Sequence, residues 1–239
     1  MCEKGCETVV KRIIALLLSA FFVLCASGCG EDDVNDLLGA SVPDYSTEES
    51  VGDIENATLI SEMTATVTGL TVNSIDFPEF SSPSEIIASC QDAILNYMLT
   101  SDYSRFSGNT KLLSEIAEKY PDMTVTAAIG IKDYESTLYK LFSYSGTVRH
   151  GETKRFSYLS KAKAYTPAAP ATASRVALDI QSAYETEHTY QMSFFALLDE
   201  EISSLYNVVF VKKDDGMYLR SLTRGKGEKI NVNLDKTIS

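Results

Sequence analysis

A chain of 239 residues, 44% apolar and 23% charged, has room for one domain of ordinary size together with a targeting segment and a linker. Its formal net charge of −12 argues against a dedicated nucleic-acid binder, because phosphate contacts need clustered Lys and Arg. The charge is unevenly placed: no Lys or Arg occurs between Arg12 and Arg105, whereas Glu31 through Glu79 supplies a dozen acidic residues. The acidity therefore belongs to a segment more than to the whole domain.

The chain opens with the parts of an export signal. Lys11-Arg12 precedes an apolar run from Ile13 to Leu24, and the small residues Ala26, Ser27 and Gly28 follow. The run is shorter than the roughly 20 residues that a helix needs to cross a bilayer core. Ala26-Ser27-Gly28-Cys29 resembles the lipobox of bacterial lipoproteins. That resemblance implies a signal peptide over residues 1–28, cleavage before Cys29, and a diacylglyceryl group on the Cys29 thiol. It also implies an extracytoplasmic protein held to a bacterial membrane by acyl chains such as palmitate. Two such chains suffice for stable anchoring, at about 0.8 kcal/mol per buried methylene. Of the five cysteines, Cys2, Cys6 and Cys25 precede the cleavage point, so the mature chain keeps Cys90 as its one free thiol. If Val10 were an alternative initiation codon, residues 10–28 would form an ordinary signal peptide.

Residues 29–58 read as the lipidated N-terminus and an acidic linker, rich in Ser, Gly and Asn and without apolar periodicity. Like charges extend such a tether. The acidic run Glu31–Asp36 lacks the glycine and terminal glutamate of a calcium-binding loop, so no metal is expected there.

Residues 59–224 carry the domain. Short alternations such as Met63-Thr-Ala-Thr-Val67-Thr predict one or two edge strands between Leu59 and Phe80. Ser82-Pro83-Ser84-Glu85 is a capping box with Pro at the first helical position, and it predicts a helix to about Leu99. Ile86, Cys90, Ile94, Tyr97 and Met98 would share its inner face, which makes Cys90 a packing residue. A second helix is predicted over Lys111–Lys119, stopped by Pro121. Asp133–Ser143 fits a helix by Tyr134, Leu138 and Leu141, and a strand by Tyr139, Leu141 and Ser143.

Beyond Gly146 the apolar period shortens to two. Lys154–Tyr165 alternates loosely, followed by a loop over Thr166–Thr172. Arg175–Glu185 alternates with Val176, Leu178, Ile180 and Tyr184 on one side. Thr189–Leu198 follows, with Tyr190, Met192, Phe194, Ala196 and Leu198 inward. Leu205–Lys213 and Met217–Leu222 flank the hairpin signal Asp214-Asp215-Gly216, and residues 225–239 form a polar tail. Helices first and antiparallel strands after imply an α+β fold, with the helices packed on one face of a curved antiparallel sheet. Over Ser82 to Thr223 this order is similar to the nuclear-transport-factor-two-like (cystatin-like) cone fold. That resemblance implies a cone-shaped cavity between helices and sheet, and no particular activity.

No motif supplies a catalytic constellation. His150 and His188, the only histidines, have no ligand at metal spacing in the sequence, and His188 sits at a hairpin tip. Ser160-Lys-Ala-Lys163 matches the SxxK of penicillin-binding proteins, but the surroundings read as a strand, where positions three apart face opposite ways. Thirteen tyrosines and no tryptophan suggest cross-strand tyrosine pairs, and Lys154, Arg155, Lys161, Lys163, Lys212, Lys213, Arg220 and Arg224 tint the sheet region basic. The reading that follows is a non-catalytic envelope module, without cofactor or metal, that binds a small ligand or an envelope protein near the membrane. The alternatives are a tethered enzyme using a cavity carboxylate such as Asp179 or Glu185, which would carry a raised pKa in its pocket, and an assembly scaffold with an exposed apolar patch.

Overall fold

The computed structural model describes residues 45, 48–71, 76–168, 176–198, 201–214 and 216–225. All of them belong to one compact unit, Asp44–Ser239. The signal peptide, Cys29, the acidic run Glu31–Asp36 and the tail beyond Gly225 lie outside the described residues.

The fold is α+β. A five-stranded antiparallel sheet runs in the order β1 (Gly52–Asp53), β5 (Ala177–Glu185), β6 (Thr189–Leu198), β7 (Glu201–Lys213), β8 (Gly216–Arg224). A smaller antiparallel sheet joins β2 (Ile129–Gly130), β4 (Ala164–Pro167) and β3 (Phe156–Leu159). The helices are α1 (Ala57–Gly69), α2 (Pro83–Ser89), α3 (Gln91–Ser101), α4 (Tyr103–Ser107), α5 (Thr110–Lys119) and α6 (Ile131–Phe142). All of them except α5 share one apolar core with the large sheet, in which Met63, Val67, Ile94, Leu95 and Leu138 meet Met192, Phe194, Val208 and Phe210. A second, smaller cluster joins Ile116 of α5 to Leu159 and Ala164 of the small sheet.

Of the segment expected to hold edge strands, Phe80 makes a single antiparallel bridge to Leu222, while the part up to Gly69 is instead helix α1. Asn56 caps it, its side-chain oxygen accepting from the N–H groups of Thr58 and Leu59. Met63 and Val67, four apart, are fully buried on its inner face. The threonines that suggested a strand bond back along the helix, Thr66 Oγ1 donating to Glu62 O and Thr68 Oγ1 to Thr64 O. Gly69 lets α1 approach α3: a Cβ built there would stand 2.6 Å from Cδ2 of the Tyr97 ring.

The single helix expected from Ser82 is two. Cys90, at φ −139° and ψ 51°, breaks it, and α3 restarts at Gln91. Asp92 thereby gains a first-turn position, where the positive end of the helix dipole favours a carboxylate. Its oxygens also receive the hydroxyl of Thr153 and the backbone N–H groups of Lys154 and Arg155. The expected capping box does not close: Glu85 takes the N–H of Ser81, one residue before the cap, and the Ser82 side chain caps nothing. Cys90 itself is half-buried against the core, and burial pushes its thiol pKa up.

The ambiguous segment after Asp133 is helix α6, which buries Tyr134, Leu138, Leu141 and Phe142 and ends on Ser143 in the left-handed region, φ 53°. In β5 the register shifts between Ile180 and Ser182, leaving Gln181 as a bulge. The shift reverses the alternation, so Ala183 opposite Met192 faces the core, and Tyr184 opposite Gln191 faces away from it. This corrects the expected inward row, which ended on Tyr184. Residues 160–163, read as strand, are the turn between β3 and β4, with Lys163 at φ 49°. Thr166 and Pro167, assigned to a loop, belong to β4 and pair with β3. The β7–β8 hairpin stands where Asp214-Asp215-Gly216 places it, with Gly216 at φ 136°.

The segment assigned to the linker reaches the sheet. Gly52 and Asp53 pair with Glu185 and Tyr184, and the flanking N–H groups of Val51 and Ile54 donate to the carbonyls of Glu185 and Ala183.

Candidate functional site

A groove of about 790 Å³ opens where α1, α3 and α6 meet the sheet ends at Val176 and Met217. Its size lies within the range of small-molecule sites, about 300–1,000 Å³. Hydroxyl residues line much of it: Thr66, Thr68 and Thr71 from α1 and its exit, Thr100 and Ser101 from the end of α3. Every one of these hydroxyls donates its proton to a backbone carbonyl. Beyond the two bonds already described, Thr71 Oγ1 donates to Thr68 O, Thr100 Oγ1 to Asn96 O and Ser101 Oγ to Met98 O. A hydroxyl has one proton, so these oxygens keep only acceptor capacity.

Asn96 lies at the groove's inner wall and is 6% exposed. Its Nδ2 donates to Gly69 O at 3.2 Å and Thr71 O at 3.1 Å. Two backbone carbonyls on the nitrogen fix the amide orientation, and among the described residues nothing donates to Oδ1. The half-buried Tyr97, whose ring packs on Gly69, has its hydroxyl pKa raised by burial. Glu62 and Lys140 are exposed and complete the polar lining, while Ala65, Leu141, Val176 and Met217 supply apolar surface.

A second polar cluster surrounds His150. Its Nδ1 lies 3.0 Å from the Tyr165 hydroxyl and its Nε2 3.3 Å from Glu135 Oε1, and its ring stacks on Tyr158 at 5.9 Å. Tyr165 in turn donates to Gln91 Oε1 at 3.3 Å, and burial pushes its hydroxyl up to about 12. With both ring nitrogens engaged, His150 has no free position for a substrate. The cluster ties α3 and α6 to β4. Beneath it the fully buried Tyr134 hydroxyl has no hydrogen-bond partner among the described residues, and burial raises its pKa.

The other sequence candidates fall elsewhere. Asp179 is exposed on β5, opposite Phe195. Glu185 pairs with Lys212 at 2.9 Å. Neither lines the groove. Ser160 and Lys163 are both exposed at the ends of their turn. The basic residues of the sheet are drawn onto tyrosines and acids: Lys212 lies over Tyr190 at 4.6 Å, Lys213 over Tyr218 at 4.7 Å, and Arg224 bonds Glu79 at 2.7 Å. Among the described residues no cluster of His, Cys, Asp or Glu could hold a metal, and no helix is long and apolar enough to cross a membrane.

His188 does sit at the β5–β6 tip, and there it meets the linker. Glu48 accepts from the Thr186 hydroxyl, and its Oε1 lies 2.7 Å from His188 Nδ1. The Thr186 bond is the main cause of a Glu48 pKa below the ordinary 4.5; burial opposes it, and the bonds and charge of His188 add to it. A depressed carboxylate pKa stabilises the folded contact above the unfolded value and loses that stabilisation as pH falls through the folded one. Amide exchange at Val51 and Ile54, taken relative to the intrinsic exchange rate at each pH and so reporting the β1 pairing, should therefore accelerate as pH drops below about 4.5. In Glu48→Gln the acceleration should already be present at neutral pH and show no such step.

The chain matches no protein-family model, no curated protein and no solved structure.

Proposed function

We propose that this protein is a lipid-anchored, extracytoplasmic module of a bacterial envelope that binds a ligand in the α1–α3–α6 groove without catalysing its conversion. The anchor rests on the sequence. Lys11-Arg12, the apolar run and Ala26-Ser27-Gly28-Cys29 together carry the charge, length and small-residue pattern of a lipoprotein signal. The binding role rests on one observation in the domain: the groove is lined by hydroxyls whose protons all go to backbone carbonyls. Such hydroxyls recognise donors, their own protons being held by carbonyls and not by a base that would activate them as nucleophiles. Neither Asp179 nor Glu185, the carboxylates that an enzyme reading would use, lines this groove.

Cys29→Ser tests the anchor. The wild-type chain should partition with membranes and incorporate labelled palmitate, and the variant should do neither, appearing in the soluble fraction or the medium. Undiminished membrane association of Cys29→Ser would defeat the lipoprotein reading.

A further inference from the structure

The groove's polar balance specifies more than a generic ligand. Its acceptors are the Asn96 Oδ1, the Glu62 carboxylate and the oxygens of hydroxyls already committed as donors. It is also where two helices end. Thr68 and Gly69 close α1, Thr100 and Ser101 close α3, and neither last turn contains a basic residue. A helix C-terminus carries roughly half a negative charge, and a cation there is favoured by about 0.3–1 kcal/mol. Two helix ends without a basic residue and the acceptor oxygen of Asn96 therefore line one surface. Lys140 is the one cation among the described lining residues, and it stands in the last turn of α6, where it compensates that helix's own end. Met217, Val176 and Leu141 provide an apolar wall for a carbon skeleton.

We propose that the groove takes a hydroxylated primary amine of the amino-sugar class, its ammonium seated between Asn96 Oδ1 and the ends of α1 and α3. An ammonium brings three donors and a full positive charge, and ring hydroxyls donate to the threonine oxygens. This inference rests on the ligand-binding reading above and adds the ligand's charge and chemical class.

The test is an NMR titration of the full-length chain at pH 6, following the Asn96 side-chain amide and the Gly69 and Thr71 backbone amides. The probes are glucosamine, glucose and N-acetylglucosamine, which differ at one carbon in carrying an ammonium, a hydroxyl or a neutral amide. Glucosamine should shift these resonances with at least about tenfold higher affinity than the two neutral sugars. Glu62→Gln should weaken glucosamine about three- to tenfold and Lys140→Gln should tighten it by a similar factor; both positions are exposed, so neither change threatens the fold. Equal binding of glucose or N-acetylglucosamine would overturn the charge assignment and leave the ligand-binding reading standing. Glucosamine affinity indifferent to both substitutions would likewise overturn it. If no probe moves these resonances, the amino-sugar inference falls, and the groove loses its support as the binding site.

Discussion

Phe194→Ala is expected to destabilise the domain by about 3–5 kcal/mol, the range for removing a large aromatic side chain from a packed core. Phe194 is fully buried in the middle of β6. Tyr206, its partner on β7, stacks on it at 5.7 Å, and Phe77 meets both rings edge-on, at 5.5 and 5.1 Å. Phe77 belongs to the segment leading to α2, so the triad joins the large sheet to the chain that enters the helices. Deleting the central ring removes aromatic contacts on two sides. The surrounding strands, held by ladder bonds, can close only part of the cavity. Urea denaturation should show a lower midpoint at unchanged slope. Tyr184→Ala provides the control. Both tyrosine and phenylalanine read as inward from sequence alternation, but the bulge at Gln181 turns Tyr184 to the outer face, where its hydroxyl bonds Gln191 at 2.9 Å. Its loss should cost no more than about 1 kcal/mol. Comparable losses at the two positions would show that the register of β5 is wrong.

That contrast marks where the sequence is a good guide and where it fails. Helix α5, the strand alternation of β6 and the Asp214–Gly216 turn were legible because each has a local cause: amphipathic spacing, a half-buried face, a residue free to take positive φ. Helix α1 was not, because alternating threonines mimic a strand while their hydroxyls bond within a helix. The break at Cys90 was not either, since the partners of Asp92 at Thr153–Arg155, which hold the restarted helix, lie some 60 residues away and leave no local mark. The pairing of Glu48 and Gly52–Asp53 with β5 is equally long-range, and composition alone made that segment a tether. The groove leaves one local mark in the sequence. Asn96 interrupts the apolar run from Ala93 to Leu99, and a polar residue on a buried helix face needs partners. Sequence could flag that need, but it could not name Gly69 and Thr71 as the answer.

Asn96 therefore couples stability and recognition, and its substitution should expose both. Asn96→Leu keeps approximate volume but leaves the carbonyls of Gly69 and Thr71 without their donor. At about 1–3 kcal/mol for each unsatisfied buried group, and with Gly69 only partly buried, a loss of about 2–4 kcal/mol is expected. Asn96→Asp is the sharper variant, because it replaces the amide N–H donors with a carboxylate facing two carbonyl oxygens. Repulsion there, together with burial, must raise the folded-state pKa of the new carboxyl above its unfolded value of about 3.9. For a raised pKa the sign is fixed. The variant is least perturbed at low pH, where the protonated acid can still donate one bond, and it loses stability as pH rises from the unfolded value through the folded one. Urea titrations at pH 4 and pH 7 should show the gap between wild type and Asn96→Asp widening with pH, while the Asn96→Leu gap stays constant. A pH-independent gap for Asn96→Asp would mean that residue 96 is open to water in solution. The two carbonyls would then no longer hold its side chain in place, and the groove would lose the fixed acceptor that an ammonium needs.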